Sequence, residues 1–261
     1  MQLFNLPLHF PLLLFSIPCV LAAYITFPLY IGPSPSAWAP LYSAIASNPK
    51  LLFQLIINPL SGPGSGQYPI SKYITALTQL HTYPNVQLIG YVHTSYCTRS
   101  LTAVESDIST YAGWSTYPGA NIRLDGIFFD EAPASYTAYD FSYLTNATTY
   151  ARALFPGGHL NLNPGVLCDS RYFALVDTVN VFENRYSAFN SRTTLSSIPA
   201  AERSQSTIML YSFNGNRNQQ ASLVTAIASS GISGMYITTA GGYESFSNFW
   251  TQFVSDVAAT A

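Results

Sequence analysis

Charge is what this sequence has least of. Of its 261 residues only 10 are Lys or Arg and 12 are Asp or Glu, for a formal net charge of -2. So few cations make no basic stripe or patch, and the chain offers no electrostatic footprint for nucleic acid. Cysteine is scarce too, with 3 in all. Neither Cys-x-x-Cys nor His-Glu-x-x-His occurs, so a metal hydrolase has no ligand set to work with, and neither a metal nor another cofactor is expected. No Walker-type loop ends in Gly-Lys, and Ser61 and Ser65 lack the Gly-x-Ser-x-Gly frame of an esterase elbow. Repeats and low-complexity linkers are missing as well, so nothing marks a second domain.

What is present is apolar and aromatic. The apolar fraction is 48%, ample for one large core, and with 8% charged residues the surface must be finished with Ser, Thr, Asn, Gln and Tyr. Such a surface suits a secreted protein that handles neutral polymers. Tyr, Phe and Trp supply 15% of the chain. Aromatic faces stack on the apolar faces of sugar rings, although in a barrel most of them are simply core.

Residues 1–22 read as a secretion signal, continuously apolar from Phe10 and closing on Val20-Leu21-Ala22, although no Lys or Arg precedes the apolar run. Pro7, Pro11 and Pro18 interrupt it, and a membrane span needs about 20 unbroken apolar residues, so no membrane association is expected once the segment is removed. Removal takes Cys19 with it and leaves Cys97 and Cys168. In an oxidising compartment these are either a disulfide or two buried thiols. Asn146-Ala147-Thr148 is an acceptor for N-glycosylation.

From residue 23 onward, apolar runs and helical patterns alternate. The runs are Ile25 to Ile31, Leu51 to Ile57, Val86 to His93, Ile122 to Asp130, Leu160 to Asn163, Val179 to Phe182, Ile208 to Tyr211 and Met235 to Thr238. Helices are expected after Ser36 and over about Ser71–Tyr83, Leu101–Trp114, Tyr136–Phe155, Gln219–Ser230 and Phe246–Ala258. Only a short helical turn near Tyr172–Val176 follows the fifth run. Continuous apolar strands that alternate with helices about eight times predict a parallel sheet closed into a single (β/α)8 TIM barrel over residues 23–261, a fold that takes about 250 residues. An open doubly wound sheet needs a Gly-rich turn after its first strand, and Gly32-Pro33-Ser34-Pro35 is not one.

The fourth run, Leu124-Asp125-Gly126-Ile127-Phe128-Phe129-Asp130-Glu131-Ala132-Pro133, ends in two adjacent carboxylates. In this architecture the strand ends face the mouth, where catalytic side chains sit. The competing reading has the two acids capping the next helix or pairing with Arg123 or Arg152. The sixth run stops on Glu183, and strand spacing puts these ends roughly 10 Å apart, so inward side chains can reach the glycosidase separation of about 5 to 9 Å. Neighbouring residues of a strand face opposite ways, so Asp130 and Glu131 share the interior only if the turn towards Pro133 re-aims Glu131. Tyr30, Asn58, His93, Asn163 and Tyr211 fall on the same rim as candidate substrate contacts. A lone His there is more often a hydrogen-bonded wall residue, and each Asn-Pro step is also an ordinary turn initiator.

These segments together resemble the spherulin-4 family: Gly126-Ile127-Phe128-Phe129-Asp130-Glu131, Tyr91-Val92-His93-Thr94-Ser95-Tyr96, Asn58-Pro59 before Ser61-Gly62-Pro63-Gly64, Asn163-Pro164-Gly165 and Phe182-Glu183. The resemblance covers nearly the whole mature chain. It implies kinship with fungal Sph3-type glycoside hydrolases, barrel enzymes that cut galactosaminogalactan at α-1,4-linked N-acetylgalactosamine, and it assigns catalysis to Asp130, Glu131 and Glu183. It also favours a Cys97–Cys168 disulfide, since the family pattern has small residues at both positions. Ala132 stands where a substrate-assisted chitinase needs an acid, so that mechanism is not implied. The expectation is therefore a secreted, monomeric endo-acting glycoside hydrolase on a polysaccharide, with Asp130 as nucleophile and Glu183 as general acid/base. The alternative is a carbohydrate-binding or cell-wall protein that kept the barrel without the activity.

Overall fold

The computed structural model describes residues 23–260. The expected signal segment, residues 1–22, lies outside them. Eight strands run β1 Tyr24–Leu29, β2 Phe53–Ile57, β3 Val86–His93, β4 Gly126–Asp130, β5 His159–Leu162, β6 Thr178–Arg185, β7 Ser206–Tyr211 and β8 Gly234–Ile237. All pair in parallel with their sequence neighbours, and β1 also pairs with β8, which closes the barrel. The helices are α1 Ala39–Ser47, α2 Ser71–Leu80, α3 Leu101–Gly113, α4 Ala138–Leu154, α5 Ser191–Ser197, α6 Arg217–Ser229 and α7 Trp250–Ala258. A 3-10 stretch, Ser170–Leu175, replaces the helix between β5 and β6, in the place where the sequence shows only a short helical turn.

Local chemistry sets the boundaries. Ser100, Thr137 and Asn216 cap α3, α4 and α6 by accepting a backbone N–H three residues on, and Gln219 completes a capping box with Asn216. The first helix starts later than Ser36 predicts, because the Ser34 hydroxyl accepts from Ala37 N–H in a separate turn and α1 begins only at Ala39. Asn190 caps α5, a helix too short for its pattern to stand out in the sequence. β6 runs three residues beyond its apolar segment, so Glu183 lies within the strand.

The core lies between the barrel and its ring of helices, where Trp38, Trp114, Tyr111 and Phe253 are fully buried. A Cβ at Gly90 would sit 2.7 Å from the Tyr111 ring, so glycine there lets α3 lie flat on β3 while the Tyr111 hydroxyl donates to Ile57 O at 3.0 Å. A Cβ at Gly126 would lie 1.8 Å from the His159 carbonyl oxygen, so only glycine admits this approach of β4 to β5.

The expected disulfide is not formed in this structure: Cys97 and Cys168 are both buried free thiols. The Cys97 Sγ faces the Asp140 carbonyl oxygen at 4.0 Å instead of a second sulfur. Burial pushes each thiol up to about 12, which keeps both protonated and unreactive at neutral pH. Asn146 is exposed on α4, while its sequon partner Thr148 is buried and donates to Leu144 O.

Candidate active site

Register builds the site. Tyr91 pairs with Phe128 and His93 with Asp130 across β3 and β4, and Phe128 pairs with Asn161 across β4 and β5. Period-two alternation then brings Tyr91, Asp130 and Asn163 to one face at the carboxyl edge. β6 reaches the same place by a different route. Its register against β7 shifts between Asn180 and Phe182, leaving Val181 as an extra residue. In a regular strand Asn180 and Glu183, three apart, would face opposite sides; the bulge turns both inward, and the Asn180 amide donates to Glu183 Oε2 at 3.1 Å.

Asn163 stands between the two acids. Its Nδ2 donates to Asp130 Oδ1 and to Glu183 Oε2, each at 2.7 Å, so these oxygens lie no farther apart than twice that distance. Its Oδ1 accepts from Gly165 N–H at 3.0 Å and from Asn180 Nδ2 at 2.8 Å. The Tyr243 hydroxyl, from the loop between β8 and α7, donates to Glu183 Oε1 at 2.9 Å. Tyr30 meets Tyr91 and Tyr243 edge-on, with ring centroids 5.8 and 5.7 Å apart, and Tyr211 meets Tyr243 at 6.4 Å. Four tyrosines thus wall the acids.

Glu131 is re-aimed after the strand, the condition under which it could share the interior with Asp130. β4 stops at Asp130, and Glu131 takes a left-handed backbone, φ 53°, held by the Thr94 hydroxyl and the Tyr96 N–H, which both donate to its carbonyl oxygen. Ser95, Tyr96 and Cys97 are left-handed as well, at φ 50°, 54° and 62°. Such conformations cost non-glycine residues roughly 1–2 kcal/mol each, and strain of this kind collects where function fixes the backbone. The result points the Glu131 carboxylate at His93, 3.7 Å from Nδ1, with the Ser95 hydroxyl 3.0 Å from the same nitrogen.

Burial pushes the Asp130 carboxyl up, and the Glu131 charge adds to it, while donors from Tyr91, the Glu131 backbone and Asn163 pull the other way. Burial likewise raises Glu183, the Asp130 charge adds to it, and Asn163, Tyr243 and Asn180 oppose it. Burial also lifts Tyr30, Tyr91 and Tyr243 above the usual phenol range, so all three remain hydrogen-bond donors.

Not every predicted contact faces substrate. Asn163 spends its whole side chain on protein partners. Asn58 Oδ1 accepts from Gly62 N–H at 3.0 Å and shapes its own loop, as the turn-initiator reading has it. His93 is a wall residue engaged with Ser95 and Glu131. Tyr30 and Tyr211 do lie in the aromatic wall. Tyr91, Asn180 and Tyr243 were not anticipated; Tyr91 is two residues before His93 and therefore on its face, whereas nothing in Gly241-Gly242-Tyr243 signals its role. A concavity of about 550 Å³ opens at the opposite edge, lined by Arg123, Asp125 and Gly158 among others, and none of the three candidate acids reaches it.

Comparison with known proteins agrees with this geometry. The sequence pattern of spherulation-specific family 4 matches residues 24–257. The chain belongs to that family. Spherulin-4 from Physarum polycephalum is 38% identical over 190 residues, which are 72% of this chain and 53% of that protein, so the match spans about half of the relative's length. Among solved structures, Aspergillus clavatus Sph3 in complex with GalNAc superposes with a TM-score of 0.84 at 34% identity, over 91% of this chain and 98% of that one. An endo-1,4-beta-mannanase from Rhizomucor miehei, with a TM-score of 0.61 at 10% identity over 92% and 94% of the two chains, shares the barrel alone.

Proposed function

We propose that this chain is an extracellular, endo-acting glycoside hydrolase that cleaves α-1,4-linked N-acetylgalactosamine in a galactosaminogalactan-type polysaccharide. The observation that carries the reading is the pair Asp130 and Glu183, held on opposite arms of one asparagine nitrogen within the short separation of retaining enzymes, about 5–5.5 Å rather than 6.5–9.5 Å. The GalNAc bound to the Aspergillus clavatus relative supports the choice of sugar. A leader in residues 1–22, a single barrel domain after it and an exposed Asn146 fit export.

An α-linked sugar with an equatorial 2-acetamido group carries that group cis to the leaving oxygen, so the acetamide cannot attack C1 from the opposite face. An enzyme carboxylate must do so. Asp130 attacks C1, Glu183 gives its proton to the leaving oxygen and later takes one from water, and Glu131 orients the β3–β4 side through His93. The assignment follows from geometry: Asp130 and Glu131 share one backbone and cannot straddle a sugar ring, whereas Glu183 comes from two strands away. Burial raises the Glu183 carboxyl, the direction a general acid needs.

Incubating the folded chain with galactosaminogalactan and measuring new reducing ends tests this. Release of oligosaccharides that disappears in Glu183→Gln is expected. Polymer binding without any release would make it a carbohydrate-binding protein on a catalytic fold.

A further inference from the structure

We infer that Asn163 is a positioning residue that ties Asp130 and Glu183 into one titrating pair and confines the proton of the general acid to Glu183 Oε1. An amide nitrogen donates and cannot accept. Asn163 cannot flip to offer its oxygen instead, because Oδ1 is held by Gly165 N–H and Asn180 Nδ2. Glu183 Oε2 therefore faces two donor nitrogens, from Asn163 and Asn180, and a hydrogen placed on it would point at another N–H. Only Oε1 is left. Its partner at 2.9 Å is the Tyr243 hydroxyl, which donates to the anion and can rotate to accept from the acid. Asp130 Oδ1 accepts from the same Asn163 nitrogen, so one donor group holds both acids.

The consequence for turnover rests on the hydrolase reading; the titration does not. In the first step the Oε1 proton passes to the leaving oxygen as the C1–O bond breaks and a carboxylate oxygen of Asp130 bonds to C1. In the second, water forms a new bond to C1, its proton returns to Oε1, and the Asp130 ester breaks. Each donor bond from Asn163 favours an anion, so both acids lose the same support if it is removed. The other groups around the pair are Tyr30 from the end of β1, Tyr91 from β3, Glu131 after β4, Tyr211 from β7 and Tyr243 after β8, with His93 turned to Glu131. Among the described residues neither acid is in an ion pair, so no fixed cation masks the change.

The test is a carbon-13 NMR titration of the side-chain carboxyls in the folded chain, assigned with Asp130→Asn and Glu183→Gln, and compared with Asn163→Ala. Both acids are expected to titrate at higher pH in the variant. Both limbs of the pH–rate profile should move the same way, with kcat down about 100-fold and KM changed by less than about threefold. If Asn163→Ala does not fold, Asn163→Leu fills the space, loses the donor without adding a charge and carries the same comparison. Unmoved titrations in a folded variant, or movement of one acid alone, would overturn the inference. A wild-type chain that titrates as described yet cleaves nothing would instead overturn the hydrolase reading.

Discussion

Strands β4 and β6 each have one acid just before the strand and another towards the barrel mouth, and the two edges treat their acids in opposite ways. At the amino edge Asp125 precedes β4 and Asp177 precedes β6. Asp125 accepts from Leu88 N–H at 2.9 Å and pairs with Arg123 at 2.8 Å; Asp177 accepts from Leu160 N–H at 2.7 Å and pairs with Arg152 at 2.8 Å. Both tie a strand to its neighbour and are neutralised by a cation. At the carboxyl edge Asp130 and Glu183 have no cation, face each other, and are held by amides and phenols that leave their charge uncompensated. The arginines that might have paired with the mouth acids are spent at the other end. The same residue type, on the same strands, serves as a clamp where it is paired and as a reagent where it is not.

Removing the carboxylate at each end should separate these roles. The largest effect is expected in catalysis: Asp130→Asn and Glu183→Gln should each lower kcat by about 100- to 10,000-fold on the polymer, with unchanged far-ultraviolet circular dichroism and retained polymer binding. Next come Asp125→Ala and Asp177→Ala. Each strands a backbone N–H and an arginine, and should cost roughly 1–3 kcal/mol in urea unfolding while kcat of the folded fraction stays within about twofold.

A smaller effect of opposite sign is expected from the mouth variants. Asp130 and Glu183 have folded-state carboxyls raised above their unfolded values, so the native state binds protons more tightly. Their burden on stability is absent below the unfolded carboxylate range, about pH 4, grows as pH rises through the raised folded values, and is complete above them. Asp130→Asn and Glu183→Gln should therefore be more stable than wild type at pH 7, by about 0.5–2 kcal/mol, and should lose that advantage at acid pH. The smallest change belongs to Arg123→Gln, since its side chain is 56% exposed; less than about 1 kcal/mol is expected, and less still at high salt.

Much of this contrast was legible before the fold was in hand. Apolar runs separated by helical patterns located all eight strands, and adjacency showed that Asp130 and Glu131 could share the interior only if the chain turned after Asp130. Other features were hidden for physical reasons. Val179-Asn180-Val181-Phe182-Glu183 departs from alternation at Val181-Phe182, but buried parallel strands are commonly continuous apolar runs, so the departure does not single out Val181 as the extra residue that brings Asn180 and Glu183 to one face. Tyr243 reaches Glu183 across 60 residues of chain, a contact set by barrel closure. Residue identity does not fix where a thiol points either: in this structure Cys97 lies in a left-handed turn with its sulfur facing Asp140, and Cys168 is a separate free thiol.

The central claim is that Asp130 and Glu183 work from opposite sides of one sugar ring, the first by bonding to C1. Proton NMR of the first minutes of polymer cleavage, before mutarotation, reads this directly. The account predicts that the new reducing end appears as the α-anomer. An initial β-anomer would mean that water attacks in place of Asp130 and would contradict it.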